Sequence, residues 1–317
     1  MHPIRLAAVA TLACALAGPA PAQSYPVPTV TLVTHSSPGG GSDIFLRNMI
    51  RYLSPKMGVN FVVENIRGGS GAKAVSKVAT SPPDGSIFYA TTPTYIQTSL
   101  LSEVDHKWDT LQPVVNVFLD PEVIFVRTQS PFKTFAEAMA NAKANPGKQK
   151  WGAANPASLE RIAMEKLNRL TGARAAIASH EGGRDQMINV LNGTLDLGIG
   201  EIQELLPQLE AKQVRLLAVL GDQRLPDMPE LPTAKEQGID LSVVKFRGLA
   251  GPKGLPENVL RAWDNGIQAV LADPAYKAEY SKESLVVAFK DHREAPAFTN
   301  AVAGDIEKSL RDLGVIK

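Results

Sequence analysis

The sequence predicts an α/β protein of two lobes, each a doubly wound, mostly parallel sheet. Three observations predict it. Short apolar strands alternate with helical segments over most of the chain. The turns after those strands are rich in Gly and Ser, where doubly wound sheets hold ligands at their strands' carboxyl ends. The chain also has 317 residues, more than a single hydrophobic core usually serves.

The first residues read as an export signal. Residues 1–5 form a short basic start and residues 6–16 an apolar, Ala-rich run. Ala20-Pro21-Ala22 offers an A-x-A cleavage site, so the mature chain is expected to begin at Gln23. The apolar run is too short to span a membrane. The single cysteine, Cys14, falls inside this signal. Thr11 three residues before it, and the shortness of the apolar run, argue against a lipid anchor there. Without cysteine the mature chain has no disulfide or thiolate chemistry, which fits a soluble periplasmic protein.

The alternation then runs in order. Strand 30–33 precedes a helix over 45–54, strand 60–63 a helix over 72–79, and strand 87–91 follows. Two short strands, 114–118 and 123–126, flank Asp120-Pro121. Lys133, Thr134 and Phe135 open a helix that ends near Asn145-Pro146-Gly147. Strand 151–153 leads to a long helix, 158–171, closed by Gly172. Strand 175–178, helix 184–192, strand 197–199, helix 204–212 and strand 216–220 continue the pattern. Amphipathic helices over 256–271, 274–282 and 295–313 are expected on the outside. Crossings between lobes are expected near 118–127 and near 241–251. Lobe 1 then spans 23–124 and 246–317, and lobe 2 is inserted as 125–245.

Lys and Arg number 33 against 32 Asp and Glu, with no long basic run, so nucleic acid is not an expected partner. Aromatic residues make up only 6%, too few to suggest a sugar-binding cage of stacked rings. The strongest local signal is Ser36-Ser37-Pro38-Gly39-Gly40-Gly41-Ser42-Asp43 behind strand 30–33. Three glycines let the backbone turn sharply and aim several N–H groups at one point. With Ser42 or Asp43 as N-cap, the helix start adds free N–H groups and its positive dipole end. Such a turn suits a small carboxylate held by main chain.

Enzyme chemistry finds little support. The five histidines, His2, His35, His106, His180 and His292, are scattered without metal-ligand spacing. No G-x-S-x-G elbow occurs, and the glycine run is neither a Walker loop nor a G-x-G-x-x-G fingerprint. His35, Ser36 and Asp43 on one short turn cannot stack in relay order. No catalytic residue, metal or cofactor is expected.

The motifs, taken in order, resemble one family over nearly the full mature chain. They are SPGGGSD at 37–43, VVENIRGGSGAKA at 62–74, PPDGS at 82–86, KANPGKQKWG at 143–152, SHEGG at 179–183 and VLNGTLDLGIG at 190–200. VRLLAV at 214–219, LPDMPELPTAKEQGI before Asp240, and FRGLAGPKGLP at 246–256 complete the series. The chain resembles the extracytoplasmic receptors of tripartite tricarboxylate transporters, the TctC or Bug-type solute-binding proteins. The resemblance implies a two-lobed periplasmic-binding-protein fold of type II character. It also implies closure around a small organic anion (a di- or tricarboxylate, or an aromatic or amino-acid carboxylate), and delivery to membrane permease subunits by a monomeric receptor.

The family's pocket carries over where residues match. In lobe 1 these are Ser36, Ser37, Gly39, Gly40, Gly41 and Ser42, with Asp43 read as a helix cap. Thr92, Thr94 and Tyr95 form a hydroxyl-rich loop after strand 87–91. In lobe 2, Asn155, Ala157 and Ser158 precede a helix whose N-terminus faces the cleft. Arg161 stands where many relatives carry His. It either forks onto a second ligand carboxylate or pairs with Glu160, Glu165 or Glu181. Gly182 and Gly183 follow His180-Glu181, where most relatives have Tyr-Lys. Glu201 is open to a ligand hydroxyl, amine or cation, whereas Glu204 is read as satisfying the dipole of its own helix. Arg247, beside the second crossing, either meets the ligand or clamps the lobes. The expected function is thus a periplasmic solute receptor. The alternatives are a ligand-binding component of a signalling system or, further off, an exported enzyme acting on a carboxylate.

Overall fold

The computed structural model describes residues 25–317. The export signal, its cleavage site and Cys14 lie outside them. Among the described residues, ten strands and ten α-helices follow one another in chain order. Strand β1 (Thr29–Thr34) leads into α1 (Gly41–Met57), β2 (Asn60–Asn65) into α2 (Ala72–Ala79), and β3 (Ile87–Thr91) into α3 (Pro93–Leu101). β1 pairs in parallel with β2 and β3, as alternation with helices requires.

The chain then enters a single long strand, β4 (Leu111–Arg127), in place of the two short strands expected around Asp120-Pro121. Pro121 falls where β4 leaves one set of partners for another. Its missing N–H removes no bond that the strand needs there. The first half of β4 pairs with β9 (Val244–Pro252) and β10 (Val286–Lys290), and the second half with β7 (Gly198–Glu201) and β8 (Val214–Val219). All four pairings are antiparallel, an addition to the parallel pattern read from the sequence. β10, which the sequence reading passed over, closes one edge of the first sheet.

In the second lobe, α4 (Phe135–Ala144) starts with a capping box in which Thr134 and Glu137 satisfy each other's backbone N–H. β5 (Lys150–Ala153) pairs in parallel with β6 (Ala176–Ser179). Between them α5 (Leu159–Thr171) is capped by the Ser158 hydroxyl and ended by Gly172 at φ +69°, a left-handed conformation that suits glycine. α6 (Gly183–Leu191) and α7 (Ile202–Glu210) flank β7. The C-terminal α8 (Glu257–Leu271), α9 (Pro274–Lys282) and α10 (Ala295–Asp312) return to the first lobe.

Each lobe buries its own apolar residues. Leu32, Phe45, Met49, Phe88, Phe118 and Trp263 pack together in the first. Ile124, Phe135, Trp151, Met164 and Leu217 pack together in the second. Each fully buried side chain of this size stabilises the fold by roughly 1.5–3 kcal/mol over exposure. Among the described residues, β4 pairs with strands of both lobes while β9 runs along its first half, and the cleft opens beside this ribbon.

Candidate functional site

Along a strand, alternate residues share a face. On β9, Phe246 turns into an apolar core while Lys245 and Arg247 turn together toward the cleft. On β4, Asp120 and Glu122 share a face in the same way, with Asp120 opposite Lys245 in the pairing. All four are buried, and the charges meet. Arg247 donates from Nε and Nη2 to Asp120 Oδ2 at 2.8 and 2.6 Å, from Nη1 to Ser42 Oγ at 2.8 Å, and from Nη2 to Glu201 Oε1 at 2.7 Å. Lys245 Nζ stands 3.0 Å from Glu122 and also pairs with Glu160 and Glu201. Glu122, Glu160 and Glu201 approach closely enough to grip a metal ion, but a cation of the chain itself occupies their centre.

Five helix approaches converge beside this ribbon. The starts of α1 and α3 come from the first lobe. The starts of α6 and α7, with the turn leading to α5, come from the second. Between them lies a buried cavity of about 20 Å³, room for little more than one water. Glu204 closes it. Its Oε1 accepts the Gly41 N–H across the two lobes, and a Cβ on Gly183 would collide with its carboxyl. A protein carboxyl thus fills the gap between two helix starts, the place the anion reading assigned to a ligand. Glu204 stands in the first turn of α7, as the dipole reading expects, and its carboxyl also reaches across to Gly41.

The charges of the site follow from burial and pairing. Burial opposes ionisation of Glu201, but Lys245 and Arg247 override it and hold the carboxyl at about 2. Burial raises Glu204 well above the usual carboxylate range, and the negative Glu201 beside it adds to the shift, so both disfavour its ionised form. Burial also raises Asp120, to about 6, against the pull of Arg247. His35, buried and near Lys245 and Arg247, is held down at about 3 and stays neutral.

Of the residues expected in the pocket, Ser36, Gly41, Ser42, Thr92 and Thr94 line the cavity from the first lobe. Asn155, Gly182, Gly183, Glu201 and Arg247 line it from the second lobe and the crossing strand. Others have different employment. Gly40, not Ser42 or Asp43, is the N-cap of α1. Gly39, at φ +79°, donates its N–H to Asp43, which also accepts from Arg47 and Asn65. Ser37 packs beside Gly182. Thr94 and Tyr95 belong to α3 and not to a loop, and Tyr95 lies in the core beside Tyr89. Ser158 caps α5 and Ala157 is buried before it.

Arg161 does not line the cavity. It bonds Glu165 Oε1 at 2.7 and 3.0 Å and reaches Ile177 O and Ser179 Oγ at 3.3 Å. This is the ion-pair alternative. Arg247 clamps the lobes, joining Ser42 of the first to Glu201 of the second. Sequence reasoning missed Lys245, Glu160, Glu204, His35 and Ala154 as cavity residues. Period-2 alternation from Arg247 points to Lys245, and Glu204 lies three residues beyond Glu201, on one helix face.

A family model described as "Tripartite tricarboxylate transporter family receptor" matches residues 45–308. Among similar curated proteins, the UPF0065 protein in the gbd 5' region of Cupriavidus necator is 26% identical, covering 98% of this chain and 96% of that protein. Two solved structures share the fold. Rpa4515 of R. palustris, determined with adipate, is 24% identical at a TM-score of 0.87, covering 92% of this chain and 99% of that one. MatC of Rhodopseudomonas palustris, determined with bound malate, is 22% identical at 0.82, covering 92% and 100%.

Proposed function

The chain belongs to the tripartite tricarboxylate transporter receptor family, and we propose that, as a solute-binding receptor, it captures a small organic carboxylate between its lobes. It passes the solute unchanged to membrane subunits of a tripartite transporter. The observation that carries this reading is the convergence of helix starts from both lobes on one buried polar cavity. A solute touching both lobes couples its binding to closure. The adipate and malate of the two structural relatives support a carboxylate.

In this reading the ligand meets the turn 36–42, the start of α3 at Thr92 and Thr94, Asn155, and the Gly182-Gly183 turn. The lobes divide at the β4–β9 ribbon, as 23–124 with 246–317 and as 125–245. The receptor works as a monomer, exported to the periplasm after cleavage following Ala22. No chemistry is assigned to it, since Asp120, Glu160 and Glu201 are tied to Lys245 and Arg247 instead of facing a nucleophile.

The test is native mass spectrometry of receptor purified without denaturation, followed by a thermal-shift screen of small carboxylates and scattering with any hit. A carboxylate that raises the melting temperature and compacts the protein is expected. A confirmed ligand that is a neutral sugar or a metal ion, or turnover of the bound acid, overturns the reading.

A further inference from the structure

The unpartnered polar side-chain atoms lining this cavity are two acceptors and one hydroxyl. Both cations are saturated. Lys245 pairs with three carboxylates, and Arg247 uses Nε, Nη1 and Nη2 on Asp120, Ser42 and Glu201. The Gly41 N–H, the donor best placed for a ligand anion, is taken by Glu204. What remains unpartnered is mostly acceptor, since Asn155 Oδ1 and Glu160 Oε2 lie buried without a donor, on residues 7% and 3% exposed that line the cavity. Buried acceptors without donors destabilise the site, and a ligand that supplies N–H groups removes that cost. On the opposite side the Thr92 hydroxyl, also buried and unpartnered, stands at the start of α3, where a carboxylate is favoured.

We propose that the solute of this receptor is zwitterionic and that, once the lobes part (the closed cavity holds little more than one water), its cationic nitrogen is received by Glu160, Glu204 and Asn155 and its carboxylate by the Thr92–Thr94 start of α3. Glu204 takes the place that a second ligand carboxylate would fill, so the site selects an amino acid or a related ammonium or guanidinium acid over a dicarboxylate. The proposal rests on the receptor reading above and narrows its ligand class. Burial and the negative Glu201 leave Glu204 without a cationic partner of its own. An arriving ammonium supplies that missing positive partner.

The test pairs straight-chain dicarboxylates of three to eight carbons with the ω-amino acids of equal length, measured by calorimetry on the mature receptor. At the length that binds best, the amino acid is expected to bind at least tenfold more tightly than its dicarboxylate partner. Glu204→Gln, which keeps an acceptor for Gly41, is expected to shrink that preference at least tenfold. The preference is a ratio on one protein, so a folding defect cannot imitate its loss. A dicarboxylate that binds as tightly as its amino-acid partner, or a preference unchanged in Glu204→Gln, overturns the charge assignment while leaving the carboxylate receptor standing. No binding by any member of either series overturns the carboxylate reading itself.

Discussion

Arg247→Met tests whether the buried ion network holds the two lobes to one another. The guanidinium is 1% exposed and makes four hydrogen bonds, two to Asp120 and one each to Ser42 and Glu201. Methionine keeps much of the volume, so the loss is electrostatic. Glu201 retains Lys245, but Asp120 keeps only the 2.7 Å bond from Gln203. Breaking a buried pair from one side costs about 3–5 kcal/mol. At roughly 2 °C per kcal/mol for a chain of this size, the melting temperature falls by about 6–10 °C. The pH dependence has a definite sign. Burial already lifts Asp120 in the folded protein to about 6, above its ordinary 3.8. Its contribution to stability is therefore full below 3.8 and lost as pH rises through 6. Without Arg247 the folded value climbs further, so the loss extends to higher pH and the variant is penalised more at pH 8 than at pH 5. Urea denaturation at both pH values measures this. Asp120→Asn added to Arg247→Met recovers at least about 1 kcal/mol by removing the orphaned charge. A penalty under about 1 kcal/mol, or one equal at pH 5 and pH 8, refutes the reasoning.

Gly41→Val places a Cβ 2.5 Å from Arg247 Nη2 and 3.0 Å from Glu201 Oε1. It is expected to cost about 1–3 kcal/mol by overpacking and to abolish solute binding, and calorimetry that finds unchanged affinity contradicts it. Arg161→Ala removes a half-exposed i,i+4 pair with Glu165. Expected effects are a stability loss under about 1 kcal/mol and solute affinity unchanged within a factor of about two, whereas a tenfold loss of affinity restores Arg161 to the pocket. Glu283, buried beside Asn48, is raised by burial from 4.5 to about 7, so its favourable contribution is full below 4.5 and lost as pH rises through 7. Glu283→Gln is expected to match the parent near pH 4 and exceed it by about 2–3 kcal/mol at pH 8, and equal stabilities at pH 8 in denaturant titrations argue against it.

Local pattern determined much of this protein. Alternating apolar segments set the order of strands and helices, because a half-buried strand or helix must repeat its apolar residues at its own period. Gly172, Thr134 and Ser158 marked helix ends by chemistry that acts within a few residues. The glycine turns pointed to the cavity, and Gly41, Gly182 and Gly183 do line it, where a Cβ would run into Arg247, Ser37 or Glu204. Asp120-Pro121 misled, because proline reads as a break in isolation but here sits where one strand changes partners. Only the tertiary structure decided the charge of the site. Lys245 is 44 residues from Glu201 and 85 from Glu160, Arg247 is 127 from Asp120, and Glu204 is 163 from Gly41. A lone Lys or Glu in a strand or a first helical turn looks like a solvated side chain until the partner that buries it is known. Coulombic pairing depends on distance in space, which sequence separation does not record.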